Sequence, residues 1–418
     1  MKLKIKKTTN IFGEVVISGS KNATLPILTT ALLTKEKICL NNVPNIKDVE
    51  YMLEILKLTG VKVKRNESTN ELILKRRKIK SKIRSPYLKQ IRASYYLMGS
   101  LFSEKKVIKT SIPGGCNFEK RPIDYHLDAF KQMGANIKIK DDSILIKRKK
   151  KKPINITLLN KSLGTTINII LATVKTKGTT TISNPSLEPE VLDFINILNK
   201  MNANIKIINN EIIVKGVKKL NGVSHKIIPD RIEAGSYICL AASVEKSNIL
   251  LTNLNKSHLE EVIKVFEKSG LNIINEGKNL RIIKNQTLTN MKVIADYYPN
   301  FPTDLQQLMV STLLHTNNIS IISDKVYPNR FSEVFELLTM GANLYLRNNY
   351  LLICPSNLIG KNVYAADLRA GFALIIAGAC ASNETIINHS EVILRGYENL
   401  IEKLRGINVD IKILDKNL

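Results

Sequence analysis

The sequence predicts an α/β protein of two pseudo-symmetric domains, each made from three copies of one unit, and three observations carry that prediction. A short phrase recurs: LTGVKV at Leu58, MGANIKI at Met133, MNANIKI at Met201, SGLNII at Ser269, MGANLYL at Met340 and RGINVDI at Arg405. Its turn residues, Gly60, Gly134, Asn202, Gly270, Gly341 and Gly406, lie 74, 68, 68, 71 and 65 positions apart, so six similar units fill the 418 residues. Each phrase closes an amphipathic helix and opens an alternating strand, as in VLDFINILNKMNANIKI, where apolar positions at helical spacing give way to period two. Each unit also holds a helix that is apolar on every face: ATLPILTTALL, ASYYLMGSLF, TTINIILATV, AGSYICLAAS, DLQQLMVSTLL and AGFALIIAGACA. Such a helix belongs in an interior.

Within a unit the order is buried helix, short strand, outer amphipathic helix, then one or two strands. The short strands are ICLNNV, VIKTSI, TTTISN, NILLTN, ISIISD and TIINHS. Gly or Asn at the turn suits a left-handed residue closing the outer helix. Three units can bury their apolar helices together beneath sheets and outer helices, which favours two domains over a linear solenoid. A first strand, Leu3 to Ile17, precedes the first buried helix and is expected to pair with the second half. The chain would then cross between domains near Gly19 and near Pro229, dividing into residues 20–229 and residues 1–19 with 230–418.

A hydrophobic content of 44% argues for packed cores. The longest apolar run, Gly371 to Ala381, is too short to cross a bilayer, and the start MKLKIKK lacks the apolar stretch of a secretory signal, so a cytoplasmic protein without a membrane partner is expected. Five cysteines without a CxxC pair or a nearby His cluster suggest neither disulfides nor zinc. Cys39, Cys239, Cys354 and Cys380 sit in apolar surroundings and read as core filler. The net charge of +27 would suit a nucleic-acid partner, but Lys, Ile and Asn are abundant throughout and basic residues occur in every segment, which sets that partner aside. The densest run, Lys147 to Lys152, precedes Pro153 and reads as a solvated hairpin or linker.

Chemistry gathers at the starts of the apolar helices, at Lys21 and Asn22, Arg92, Ser162 to Thr166, Asp230 with Arg231 and Glu233, Asp304, and Asp367 with Arg369. A helix start offers unpaired N–H groups and partial positive charge, and added Lys or Arg makes a phosphate or carboxylate site. Any one of these residues would serve equally as a cap or surface ion pair; their repetition favours a cleft for an anionic ligand. Thr303 could cap its helix, leaving Asp304 to act as an ionised base. The stretch Ser111 to His126, SIPGGCNFEKRPIDYH, sets Cys116 after two glycines and near Lys120 and Arg121, which favours its thiolate and a role as general acid or nucleophile. His126 reads as a structural residue. No Walker motif, dinucleotide fingerprint or metal-ligand cluster is present.

GSKNATLPIL, RASYYLMGSL, PGGCNFEKRPIDYH, SLGTT, PDRIEAGS, FPTDLQQ, NRFSEV, DLRAGFAL and RGYENLIEKL, in this order, closely resemble the UDP-N-acetylglucosamine enolpyruvyl transferases of the EPSP synthase superfamily, over essentially the whole chain. The resemblance implies a two-domain inside-out α/β barrel of six βαβαββ repeats, three per domain, with the active site in the cleft between domains. It implies transfer of the enolpyruvyl group of phosphoenolpyruvate to the 3′-hydroxyl of UDP-N-acetylglucosamine with release of phosphate, the first committed step of peptidoglycan synthesis. Small-molecule substrates, no cofactor, no metal and inhibition by fosfomycin are likewise implied. By motif, Lys21, Asn22, Arg121, Arg330, Arg369 and Arg395 would bind phosphoenolpyruvate. Arg92, Arg121, Pro122, Ile123, Asp124, Tyr125, Ser162, Leu163, Gly164, Asp304 and Val326 would hold the UDP-sugar. Cys116 would be the acid, also able to form a thioether adduct, Asp304 the base at the sugar hydroxyl, and Arg395 a catalytic phosphate ligand. Tyr125 stands where a smaller apolar residue is usual, and Lys161 is one place from the family's basic residue and is not assigned as a ligand.

Two rivals are weighed against this reading. A sister transferase acting on shikimate phosphate would share the scaffold and the Lys and Arg clamp, but the PGGC loop and RPIDYH speak against it. A nucleic-acid-binding protein on the same scaffold is motivated by the charge alone.

Overall fold

The computed structural model describes residues 1–66, 71–114 and 123–414. The chain is α/β with mixed sheets, and its described residues divide into two compact units: one lies between Gly19 and Ile228, the other combines Met1–Ser18 with the residues from Pro229 onward. Each has its own apolar core.

In the Gly19 unit the apolar helices are Lys21–Thr29, Tyr96–Glu104 and Leu163–Thr173; in the other they are Arg231–Ser243, Thr303–Leu313 and Leu368–Cys380. All thirteen residues of Arg231–Ser243 are buried, as all-round apolarity requires. The outer helices, such as Lys47–Thr59 and Pro189–Lys200, bury one face and expose the other. Among the described residues each unit has three sheets of three to five strands, all open, and no sheet closes into a barrel.

Two parallel pairings set the ends of the units: one ties an N-terminal strand to the half that follows Pro229, and the other closes the Gly19 unit. Asn10–Val16 lies parallel to Lys246–Thr252, in the register Ile11 to Ser247, while Val223–Lys226 lies parallel to Lys37–Asn41. Lys2–Ile5 adds antiparallel pairs with Thr385–Asn388 and Ile411–Leu414. Ser18, where the chain leaves one unit, is pinned: its N–H donates to Glu233 Oε2 at 2.7 Å, and Lys403 Nζ donates to Ser18 Oγ at 2.6 Å and to Glu233 Oε1 at 2.7 Å. Burial raises the Glu233 carboxyl, against the pull of Lys403.

Three local expectations need correction. Five of the six turn residues are left-handed, with φ of 98° at Gly60, 95° at Gly134, 72° at Asn202, 95° at Gly270 and 90° at Gly341. The sixth helix, Leu400–Gly406, runs through Gly406, and Asn408 takes the positive φ of 69° instead, which its short polar side chain tolerates. Cys239 is buried and its thiol pushed up to about 12 by burial, but Cys39, Cys354 and Cys380 are half-buried. Strand alternation turns Cys39 and Cys354 to the face opposite Ile38 and Ile353. The basic run is only partly solvated. Arg148 Nε donates to the Phe102 carbonyl, and Lys151 Nζ to those of Ser103 and Lys175, each at 2.9 Å, so the run covers the negative end of the Tyr96 helix. Burial, with repulsion from Arg148 and Lys175, lowers Lys151 to about 8.

Candidate active site

In the unit that holds the C-terminal half, three of the sequence-selected residues meet. Asp304 lies in the first turn of the Thr303 helix, where a carboxylate favours the helix dipole, and its side chain is 28% exposed. Arg330 Nη1 donates to Asp304 Oδ1 at 2.8 Å, and Arg369 Nη2 donates to Asp304 Oδ2 at 3.2 Å. Both guanidinium groups are buried. Burial opposes the charge of Arg330, but Asp304 and Asp367 outweigh it and its proton is held more tightly than usual. For Arg369, Tyr397, Asp304 and Asp230 outweigh burial in the same way.

The chain holds these arginines with local devices. Arg330 Nη1 also donates to the Thr303 carbonyl at 3.1 Å. Arg369 sits over the Tyr397 ring, 5.4 Å from its centre, and donates to its hydroxyl at 3.0 Å; that hydroxyl shares a hydrogen bond of 2.7 Å with Ser236. Asp367 caps the Leu368 helix by accepting from Arg369 N at 2.8 Å and Ala370 N at 3.1 Å, and Asp230 caps the Arg231 helix likewise. Thr303 does not cap its helix, contrary to expectation. Its hydroxyl donates to buried Asp324, whose other oxygen accepts from Val326 N and Tyr327 N at 2.8 Å each. Val326 is thereby fixed through its backbone. Arg395, half-buried, ends the short helix Ser390–Arg395 in the same unit.

In the Gly19 unit, Ser20 caps the helix that Lys21 and Asn22 open, and both of those residues are half-buried. Lys21 Nζ lies 3.4 Å from Asp48 Oδ2. Ser162 caps the Leu163 helix by accepting from Thr165 N at 3.2 Å. Gly164 follows because a Cβ there would lie 2.5 Å from Tyr95 Oη and 2.8 Å from its Cζ. Arg92 opens the turn that leads into the Tyr96 helix, and its charge reaches His126. Ile123 is buried, Asp124 begins the helix Asp124–Gln132, and exposed Tyr125 accepts from Asn160 Nδ2 at 3.4 Å. His126 is structural: it is buried, it packs against Tyr95 with tilted rings whose centres lie 4.6 Å apart, and its Nδ1 meets Asn168 Nδ2 at 2.9 Å. The readings placed on Cys116, Arg121 and Pro122 lie outside the described residues.

Sequence reasoning passed over Gln307, which accepts from Arg330, and Ser332 and Glu333, which accept from Gln307. A signal existed in Gln306 and Gln307, two adjacent amides set between Leu305 and Leu308. Among the described residues no group of three or more His, Cys, Asp or Glu side chains is placed to hold a metal, and no helix is long and apolar enough to cross a membrane.

The family described as EPSP synthase (3-phosphoshikimate 1-carboxyvinyltransferase) matches residues 5–404. The UDP-N-acetylglucosamine 1-carboxyvinyltransferase of Halothermothrix orenii is 39% identical over 98% of this chain and 99% of that protein. The protein of the same name from Wolbachia sp. subsp. Brugia malayi is 40% identical over 96% of this chain and 97% of its own length. Among solved structures, the enolpyruvyl transferase NikO from Streptomyces tendae superposes with a TM-score of 0.89 at 20% identity, covering 98% of each chain. An EPSP synthase from Acinetobacter baumannii gives a TM-score of 0.74 at 16% identity, over 99% of this chain and all of that one. At those identities the two structures speak for the fold alone. With the family match spanning nearly its full length, the chain belongs to the EPSP synthase family and, within it, to the UDP-N-acetylglucosamine 1-carboxyvinyltransferases.

Proposed function

We propose that this enzyme transfers the enolpyruvyl group of phosphoenolpyruvate to the 3′-hydroxyl of UDP-N-acetylglucosamine and releases phosphate, as the first committed step of peptidoglycan synthesis. The observation that carries the reading is Asp304, a carboxylate at a helix start held by two buried guanidinium groups at 2.8 and 3.2 Å. The reading treats the recurring order of helix, strand, helix and strands as six βαβαββ repeats of an inside-out α/β barrel, three in each unit. It places the enzyme in the cytoplasm, on the nature of its two substrates.

In the proposed chemistry the sugar hydroxyl oxygen attacks C2 of phosphoenolpyruvate while Asp304 takes the hydroxyl proton and Cys116 delivers a proton to the methylene carbon, C3. Loss of a C3 proton from the tetrahedral adduct then restores the double bond as the bond between C2 and the phosphate oxygen breaks. Lys21, Arg121 and Arg395 would carry the charge of the phosphate, with Asn22, Arg330 and Arg369 as further ligands of phosphoenolpyruvate. Arg92, the segment from Arg121 to Tyr125, Ser162, Leu163, Gly164 and Val326 would hold the UDP-sugar.

The test is phosphate release from phosphoenolpyruvate with UDP-N-acetylglucosamine, with shikimate 3-phosphate as the alternative acceptor. Release that requires the UDP-sugar is expected. Folded, pure protein that releases no phosphate with it, or releases phosphate only with the shikimate ester, refutes the reading.

A further inference from the structure

Glu333 is fully buried; its Oε2 accepts from Gln307 Nε2 at 2.8 Å, while its Oε1 has no hydrogen-bond partner among the described residues. Gln307, also fully buried, uses its whole amide. Its Oε1 accepts from Arg330 Nε at 3.2 Å, and its Nε2 also faces Ser332 Oγ at 2.9 Å and Asp367 Oδ2 at 3.4 Å. Because a guanidinium can only donate, Arg330 fixes which end of the amide is oxygen. Ser332 Oγ in turn donates to Asp367 Oδ2 at 2.9 Å, and Asp367 Oδ1 caps the backbone N–H of Arg369. One amide therefore touches Arg330 directly and reaches the helix start that carries Arg369, the two arginines on Asp304.

We propose that Gln307 and Glu333 are positioning residues for the reaction, setting the side chain of Arg330 and the helix start of Arg369 so that both guanidinium groups are aimed at Asp304. The proposal rests on the assignment of Asp304 as the base. It calls for a neutral Glu333, whose hydroxyl can sit at the otherwise unpartnered Oε1 while Oε2 accepts from Gln307. Burial, opposed by the Gln307 hydrogen bond, pushes this carboxyl up to about 8. The charged groups that face it are Asp367, from the start of the Leu368 helix, which adds to the rise, and Arg330, from the preceding turn, which opposes it. Gln307 and Ser332 supply the neutral surroundings. Ionised Glu333 would repel Asp367 and compete with Asp304 for Arg330, so turnover should fall as pH rises through about 8.

The experiment measures kcat and KM for phosphate release, from about pH 6.5 to 9.5, for the wild type, Gln307→Leu and Glu333→Gln. Gln307→Leu should lower kcat roughly 10- to 100-fold while KM for the UDP-sugar stays within about threefold, since a hydrogen bond to a charged group is lost without touching the substrate. Glu333→Gln, the neutral isostere, should retain most turnover at neutral pH and lose the fall near pH 8. A Gln307→Leu enzyme with kcat within about twofold of wild type, or an unchanged alkaline limb in Glu333→Gln, overturns the proposal. Should Gln307→Leu fail to fold, the Glu333→Gln profile decides alone. A wild type that releases no phosphate refutes the function itself, which is a distinct result.

Discussion

Acidification should weaken the Gly19 unit through one side chain, His126. Asn168 Oδ1 accepts from Gly99 N at 3.1 Å, so its Nδ2 is the end that faces His126, and it also donates to the Tyr95 carbonyl at 3.1 Å. His126 Nδ1 must then accept, which a protonated imidazole cannot do. Burial first, and the charge of Arg92 second, lower His126 from 6.5 to about 3. The folded value lies below the unfolded one, so the stabilisation is present above pH 6.5 and is lost as pH falls toward about 3. Between pH 7 and pH 5 the loss amounts to about 2 kcal/mol. For a unit of roughly 200 residues this is about 4–8 °C in Tm. Differential scanning calorimetry of the wild type and His126→Phe at both pH values isolates the effect. The variant leaves an Asn168 N–H unpaired at either pH, a constant cost that cancels, so wild type should lose about 4–8 °C more than the variant on acidification. Equal losses in the two proteins would refute the argument, because they would mean that His126 takes up its proton without disturbing its surroundings.

Lys403→Met should destabilise the other unit by roughly 3–5 kcal/mol at pH 8 by leaving Glu233 buried without its cation, and by less at pH 5, where Glu233 can take a proton; denaturant midpoints at the two pH values check this. Gly164→Ala should cost about 1–3 kcal/mol, because its Cβ would overlap Tyr95, and Tyr95→Ala in the same chain should recover part of that loss in a double-mutant cycle. Asp304→Ala should lower kcat about 10²- to 10⁴-fold with little change in UDP-sugar affinity, measured by calorimetric titration; a large loss of affinity at unchanged kcat would contradict its role as base. Cys116→Ser should abolish inactivation by a small epoxide such as fosfomycin, and continued alkylation of the variant, seen by mass spectrometry, would remove Cys116 as the reactive thiol.

The helix starts were legible because capping is local. Ser20, Ser162, Asp230 and Asp367 each bond N–H groups two or three residues ahead, and those residue types announce that geometry in the sequence. Thr303 belongs to the same class of residue, yet its hydroxyl went to Asp324, 21 positions away, which no local pattern encodes. Lys151 was misread for the same reason: the carbonyls it covers belong to Ser103 and Lys175, 48 and 24 positions away.

By itself the sequence determined the α/β class and the six recurring sets of helices and strands; Asp304 and Arg369 stood out at helix starts, and Arg330 entered only through the family resemblance. The class and the recurring sets follow from side-chain period and backbone sterics, which act over a few residues. Tertiary structure alone decided that Arg330 and Arg369, 26 and 65 positions from Asp304, grip its two oxygens, and that Gln307 and Glu333 stand behind them. The physical reason is that a buried charge must find its partners wherever packing brings them, and the desolvation that makes those partners obligatory exists only once the helices have closed around them.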